Sequence, residues 1–392
     1  MAQKIKNWEF YVFYDLLTKK KYFITNFINF MVFYSIFKYF NKFFAISIFF
    51  FYILALFLSS RTQIVCSKDN EAGGALKSLK KPILQHPFGI ISLFSYINFP
   101  RFKKLGTERV KLGKISLDVL ENKNSQSTII FVHGFSSNSE AVSILNMMGH
   151  LKGKYRCVSL NYRGCCCSPL LCTNFTHIGF TEDIKDTISY VREKYEGSKI
   201  ILVGCSMGGN LVSLLLGRDR KDFDISDVIG GVGISIPFDF NVCAASKTYL
   251  KPLIDYKFLK HLKNFFEKNK KVYEQKFIEK IKSSVNVLEL NKIISESLGY
   301  KDIKEYYDKN SSINYLKDIK TPLMVINAKN DFLLTSYFPE KDFEENKYLL
   351  GVVTSAGGHL GFQGYNLEFS ISPLIEEFCD LLSRKDLKYK NN

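Results

Sequence analysis

From residue 128 onward, short apolar runs alternate with stretches whose apolar residues recur every three or four positions. The runs at 128–133, 155–160, 199–204, 228–236, 322–328 and 348–354 read as buried strands. Segments 139–151 and 179–195 carry the helical period. Buried strands alternating with amphipathic helices predict an α/β fold with a doubly wound, mostly parallel sheet. Ahead of them, 109–112 and 115–120 alternate apolar and polar residues around Gly113-Lys114, the pattern of an antiparallel hairpin. Residues 242–309 break the alternation. They are rich in lysine and aromatics and helical in pattern, and they hold no strand.

The N-terminal part follows another rule. Residues 43–60 carry no charge and show no polar face. Such a run can cross a hydrocarbon core of about 30 Å as one helix, so it predicts a transmembrane helix bracketed by Lys42 and Arg61. It starts too deep in the chain for a cleaved signal peptide. Residues 22–40 are also apolar, but Asn26, Asn29 and Lys38 interrupt them. They form either an interfacial amphipathic helix or the first arm of a membrane hairpin, and the two options put the following domain on opposite sides. The lysines before the span weakly favour a cytosolic N-terminus. The expected organisation is a basic, aromatic segment at 1–42, the span at 43–60, a linker and surface-packing segment at 61–100, and a globular domain at 101–392. Localisation is expected at a membrane, single-pass unless the hairpin forms.

Composition adjusts this picture only slightly. Hydrophobic residues make up 46% of the 392, enough for a sizeable core. The net charge of +16 fits a general lysine bias and also adsorption to anionic lipid. No recognition motif points to nucleic acid. The nine cysteines are odd in number, and none has histidine partners at zinc spacing. They read as thiols, and no metal or organic cofactor is implied. The consecutive Cys165, Cys166 and Cys167 read as structural or neutral, with acylation or redox chemistry as the alternative.

The chemistry concentrates in Gly204-Cys205-Ser206-Met207-Gly208, between an apolar run and a helix-compatible one. Strand, tight Gly-x-Ser-x-Gly turn and helix form a nucleophile elbow. A serine needs a base, an orienting carboxylate and donors for the oxyanion. Asp331 follows the 322–328 strand and is the carboxylate candidate, with an ordinary turn aspartate as its alternative. His359, in Gly357-Gly358-His359-Leu360-Gly361, is the only histidine after it and the candidate base. A structural histidine is the alternative there. His133-Gly134-Phe135 closes the first parallel strand: Gly134 lets the loop curl, and the Phe135 and Met207 amides are the oxyanion donors. His133 precedes the serine and reads as a brace. Cys205 reads as a buried spacer, and Gly204 and Gly208 as the residues that make the elbow possible.

Several stretches together resemble the AB hydrolase 4 family of membrane lipases, phospholipases and medium-chain ester synthase/esterases. They are Val132-His133-Gly134-Phe135, Asn161-Tyr162-Arg163-Gly164-Cys165, Thr181-Glu182-Asp183-Ile184, Gly204 to Leu211, Pro322 to Asp331, and Gly357-Gly358-His359-Leu360-Gly361-Phe362. The resemblance runs from about residue 100 to 380. It implies an α/β-hydrolase fold with a helical cap at about 240–310, and Ser206 as nucleophile, Asp331 as orienter and His359 as base. It also implies acyl-ester substrates and an N-terminal anchor. The chain departs from the family at Cys205, where an aromatic is usual, and at Cys166 and Cys167, where small residues are. No His-x-x-x-x-Asp acyltransferase motif is present. The expected function is a membrane-anchored serine hydrolase of lipid esters. A protein S-deacylase with the same triad and a non-catalytic lipid-binding scaffold are its alternatives.

Overall fold

The computed structural model describes residues 46–47, 50–51, 62–80, 105–135, 137–245, 251–331, 333–334, 337–362 and 369–384. The segment expected at 1–42 and residues 81–100 of the expected linker and surface-packing segment lie outside these, as does the expected span at 43–60 except for Ile46, Ser47, Phe50 and Phe51. Among the described residues, no helix is long and apolar enough to cross a membrane.

Among the described residues, nine strands form one sheet: β1 (Thr62–Cys66), β2 (Glu108–Leu112), β3 (Ile115–Leu120), β4 (Ser127–Val132), β5 (Arg156–Asn161), β6 (Lys199–Cys205), β7 (Val228–Ile234), β8 (Leu323–Ala328) and β9 (Leu349–Thr354). Their order is β1-β9-β8-β7-β6-β4-β5-β3-β2. The six strands from β4 to β9 run parallel. The β2–β3 hairpin and β1 pair antiparallel at the two edges. The central strands are buried on both faces, which is why they read as unbroken apolar runs. Side-chain alternation divides them between two cores. Ile130 and Val132 pack with the helix Glu182–Lys194 and the helix Met207–Gly217. Ile129 and Phe131 pack with Val142–Leu151 and Ser372–Arg384 on the other face.

Strand β1 and its neighbours differ from the sequence reading. Residues 61–100 read as a linker and surface-packing segment, yet Thr62–Cys66 pairs with Leu350–Thr354 of β9. A short edge strand with mixed burial leaves little alternation to detect. The stretch after it also folds. Asn70 caps the helix Glu71–Ala75 by accepting from the Gly73 amide, and its own amide donates to Lys347 O and Leu349 O. Leu76 and Leu79 are buried in the lower core.

Among the described residues, five α-helices stand between β7 and β8: Phe240–Ala245, Lys251–Lys268, Gln275–Ser283, Val287–Ser297 and Ile303–Asn310. They make a third core from Leu262, Phe266, Ile278, Leu290, Ile294 and Tyr306, shared with Leu170 and Phe175 of the loop after β5. Two of these helices begin on side-chain caps, Asn286 to the Glu289 amide and Asp302 to the Glu305 amide.

Two motif fragments meet here. Arg163 Nε donates to Asp183 Oδ1 at 2.7 Å, and the Arg163 amide donates to Asp183 Oδ2. Thr176 also donates to that carboxylate. The pair is buried, and the guanidinium lies over the Phe180 ring. It fastens the loop after β5 to the helix that leads into β6.

Asn210 locks the helical layer onto the sheet. Its amide donates to Ile178 O and Asn310 O, and its Oδ1 accepts from the Ser312 amide. Asn210→Leu strands one amide and two carbonyls in the interior. We expect a loss of roughly 3 kcal/mol in unfolding free energy, read by urea denaturation monitored by circular dichroism.

Candidate active site

The topology decides where a site can form. Strand β5 lies on one side of β4 and β6 on the other, so the chain reverses direction across the sheet between β4 and β6. Loops leaving neighbouring strands there diverge and leave a crevice at the carboxyl ends. The loop His133–Gly134–Phe135 leaves β4 and the elbow leaves β6, both into this crevice.

Ser206 stands at φ 53°, ψ −120°, between the end of β6 and the first turn of the helix Met207–Gly217. Its amide donates to Ile234 O at 2.7 Å. The conformation is sparsely populated for a residue with a side chain and persists only where the surroundings dictate it. Here the glycines allow it. A Cβ on Gly204 would lie 2.4 Å from Gly208 O, and one on Gly208 would lie 2.2 Å from Val132 O. Helix, elbow strand and β4 approach too closely for any side chain.

His359 Nε2 lies 2.9 Å from Ser206 Oγ, and His359 Nδ1 lies 2.9 Å from Asp331 Oδ2. Asp331 follows β8, and its other oxygen accepts from the Leu333 and Leu334 amides. The glycine-rich loop holding His359 is fixed from two directions. The Gly358 amide donates to Asn330 Oδ1 at 2.8 Å, and the Leu360 amide reaches Ser235 Oγ. Asp331 is buried and the His359 side chain is 11% exposed, so little water competes for these bonds. The three residues that spacing alone singled out are therefore in hydrogen-bonding contact. A hydroxyl so placed can pass its proton to the imidazole as it attacks a carbonyl carbon, while the carboxylate holds the ring and its developing charge.

Phe135 and Met207 line the same cavity as Ser206 and His359. Met207 is the first residue of its helix, where amides have no intrahelical acceptor and the helix dipole is positive. A Cβ on Gly134 would lie 3.2 Å from Cys205 O and from Ser206 Cβ, so glycine lets this loop close on the elbow. His133 makes no hydrogen bond to Ser206 or His359. Its Nδ1 donates to Gly134 O at 2.8 Å, its carbonyl accepts from Tyr162 Oη, and the two rings pack 4.1 Å apart. Burial pushes its pKa down to about 4, so it is a neutral brace. Cys205 is buried below the elbow, and burial pushes its thiol up to about 12, which keeps it unreactive.

The cavity measures about 450 Å³. Phe258, Leu262, Tyr306 and Tyr307 of the cap line it together with Leu333 and Leu334. A second hollow of about 200 Å³, behind the Phe135 loop, also opens on Ser206 and His359. Periodicity identifies the cap residues as helical, but it carries no sign of which ones face the serine. No cluster of histidine, cysteine and carboxylate residues suited to a metal ion occurs among the described residues.

The model of the alpha/beta hydrolase fold family matches residues 127–363, and the chain belongs to that family. Its curated relatives agree with the AB hydrolase 4 resemblance. A Saccharomyces cerevisiae monoacylglycerol lipase is 26% identical over 260 residues, covering 62% of this chain and 56% of that protein. The Mus musculus phospholipase ABHD3 is 28% identical over 267 residues, covering 64% of each. A Dictyostelium discoideum abhydrolase domain-containing protein is 30% identical over 273 residues, covering 66% of this chain and 68% of that one. The chain thus spans less than two thirds of the first two relatives.

Two other histidine features predict a pH response. Burial pushes His177 down to about 3, helped by the Arg218 charge, and His133 down to about 4. In the unfolded chain both protonate near the ordinary value of about 6.5. Acidification therefore protonates the unfolded state first. The contribution is complete above about pH 6.5 and is lost as the pH falls toward 4 and then 3. His177→Gln should flatten the fall in melting temperature between pH 6.5 and 4, measured by calorimetry.

Proposed function

We propose that this chain is a membrane-anchored serine hydrolase that cleaves carboxylic esters of lipids, of acylglycerol or phospholipid type. The observation that carries the reading is the continuous path from Asp331 through His359 to Ser206, at 2.9 Å for each step, opening on an apolar cavity. Ser206 attacks the ester carbonyl, and His359 takes its proton and gives it to the departing alcohol. The Phe135 and Met207 amides hold the oxyanion, and water then releases the acid by the same route. The cavity suits an acyl chain because its walls are mostly aromatic and aliphatic. The names of the yeast and mouse relatives, a monoacylglycerol lipase and a phospholipase, support lipid esters as the substrate class.

Anchoring rests on residues 43–60. Phe50 and Phe51, within this run, are 67% and 64% exposed. The run ends just before β1, so an anchor there would hold the sheet edge at the membrane and the cavity within reach of its lipids.

The test uses the full-length chain in detergent. A fluorophosphonate should label wild type at Ser206 and leave Ser206→Ala unlabelled. Asp331→Asn should keep the fold and lower kcat on a short-chain ester by about 10⁴-fold, because the imidazole is then held in the wrong tautomer. A panel of lipid esters and one acyl-cysteine peptide, with the released acids identified, distinguishes lipase from deacylase. Folded wild type that resists the probe while a control hydrolase is labelled overturns the hydrolase reading.

A further inference from the structure

The loop after β5 carries a second reactive constellation, apart from the serine. The Ser168 amide donates to Cys165 O at 2.9 Å, which makes residues 165–168 a tight turn with Cys166 and Cys167 at its two central positions. Cys166 has φ 50°, a conformation that favours glycine at such a position. A side chain held there at a cost invites a functional explanation.

The turn points both sulfurs outward. Cys166 and Cys167 are exposed, and their sulfurs lie 3.6 Å apart. Arg109, from β2, brings its guanidinium against them, with Nη1 3.0 Å from Cys167 Sγ and 3.8 Å from Cys166 Sγ. This is not a loose surface contact. Arg109 Nε and Nη2 are both committed to Asp118 at 2.7 Å, and Asp118 is buried and also bonded by Ser139. The third nitrogen is thereby fixed toward the sulfurs, and it places positive charge where a thiolate would form. Cys165 takes no part, because burial pushes its thiol up to about 12.

We propose that Cys166 and Cys167 form a thiol–disulfide exchange site that takes low-molecular-weight disulfides and becomes a vicinal disulfide. Cys167, beside Arg109, attacks one sulfur of the small disulfide, whose S–S bond breaks and releases the first thiolate. Cys166 then attacks Cys167 Sγ and expels the second. Two protein thiols are oxidised, two small thiols are formed, and the two cysteine protons end on them. Neighbouring Cα atoms lie only about 3.8 Å apart, below the usual range for a disulfide, so the bond is strained and readily reduced again.

The experiment treats the full-length chain with glutathione disulfide, blocks remaining thiols with iodoacetamide and maps the products by tandem mass spectrometry. Wild type should yield a bond between Cys166 and Cys167 that dithiothreitol reverses. Cys166→Ser should instead accumulate a mixed disulfide on Cys167. Cys167→Ser should react about tenfold more slowly than wild type. Cys172, another exposed thiol of the same region, is the internal reference. The proposal fails if wild type links either cysteine to Cys165 or Cys172 or yields only unresolved mixed disulfides. It also fails if Cys167 in the Cys166→Ser protein reacts no faster than Cys172.

Discussion

The architecture of the site depends on one close approach, that of the first turn of the Met207–Gly217 helix to the ends of β4 and β6. Gly208 lies so near Val132 O, and Gly204 so near Gly208 O, that no side chain fits between them. This contact forces Ser206 into its positive-φ conformation and lifts its hydroxyl clear of the sheet. The strain at such a residue is on the order of 1–3 kcal/mol. It is offset by the surroundings, since every residue of the helix and nearly all of β6 are buried. The helix carries two buried polar side chains: Ser213 bonds back to Gly209 O within the helix, and Asn210 satisfies its polar groups on Ile178 and on the chain that returns from the cap. Elbow and cap are thus held by the same helix.

The rest of the site is assembled from loops fixed to that frame. Asp331 is oriented by two amides of its own turn, and the His359 loop by Asn330 and Ser235. These bonds explain why a glycine-rich loop can still hold an imidazole in one place. The cap contributes much of the wall: its aromatic and aliphatic side chains line a mostly apolar cavity beside the serine. The loop after β5 supports that cap through Leu170 and Phe175 and is itself tied down by the buried Arg163–Asp183 pair. The same loop turns Cys166 and Cys167 toward Arg109 on the outside. One part of it packs into the cap core and another exposes the thiols.

Much of this was legible in the chain alone. The strands β4 to β9 show as apolar runs because both faces of a covered parallel sheet are buried. The observed ends shift by a residue or two, as at Leu323–Ala328 against the expected 322–328. The elbow is visible because close packing demands glycine at two fixed positions beside the serine. Asp331 and His359 stand out because each follows a strand at the end where this topology opens its crevice.

Other features depend on partners far along the chain, and no local pattern announces them. Strand β1 is too short and too mixed in burial to show a period, and only its pairing with β9 makes it a strand. Asn210 reads as a polar residue in a mostly apolar helix until the chain returns from the cap to meet it. Cavity-facing and core-facing cap residues share one helical period, so only packing separates Leu262 from its neighbours. Arg109 and Cys167 are 58 positions apart, and their meeting follows from the edge order β5-β3-β2. By itself the sequence determined the strands β2 to β9, the elbow and the identity of the candidate acid and base, because period and glycine spacing are local consequences of burial and close approach. Tertiary structure alone decided the edge strand, the cavity wall and the pairing of thiols with a cation, because these are contacts between segments that share no local signal.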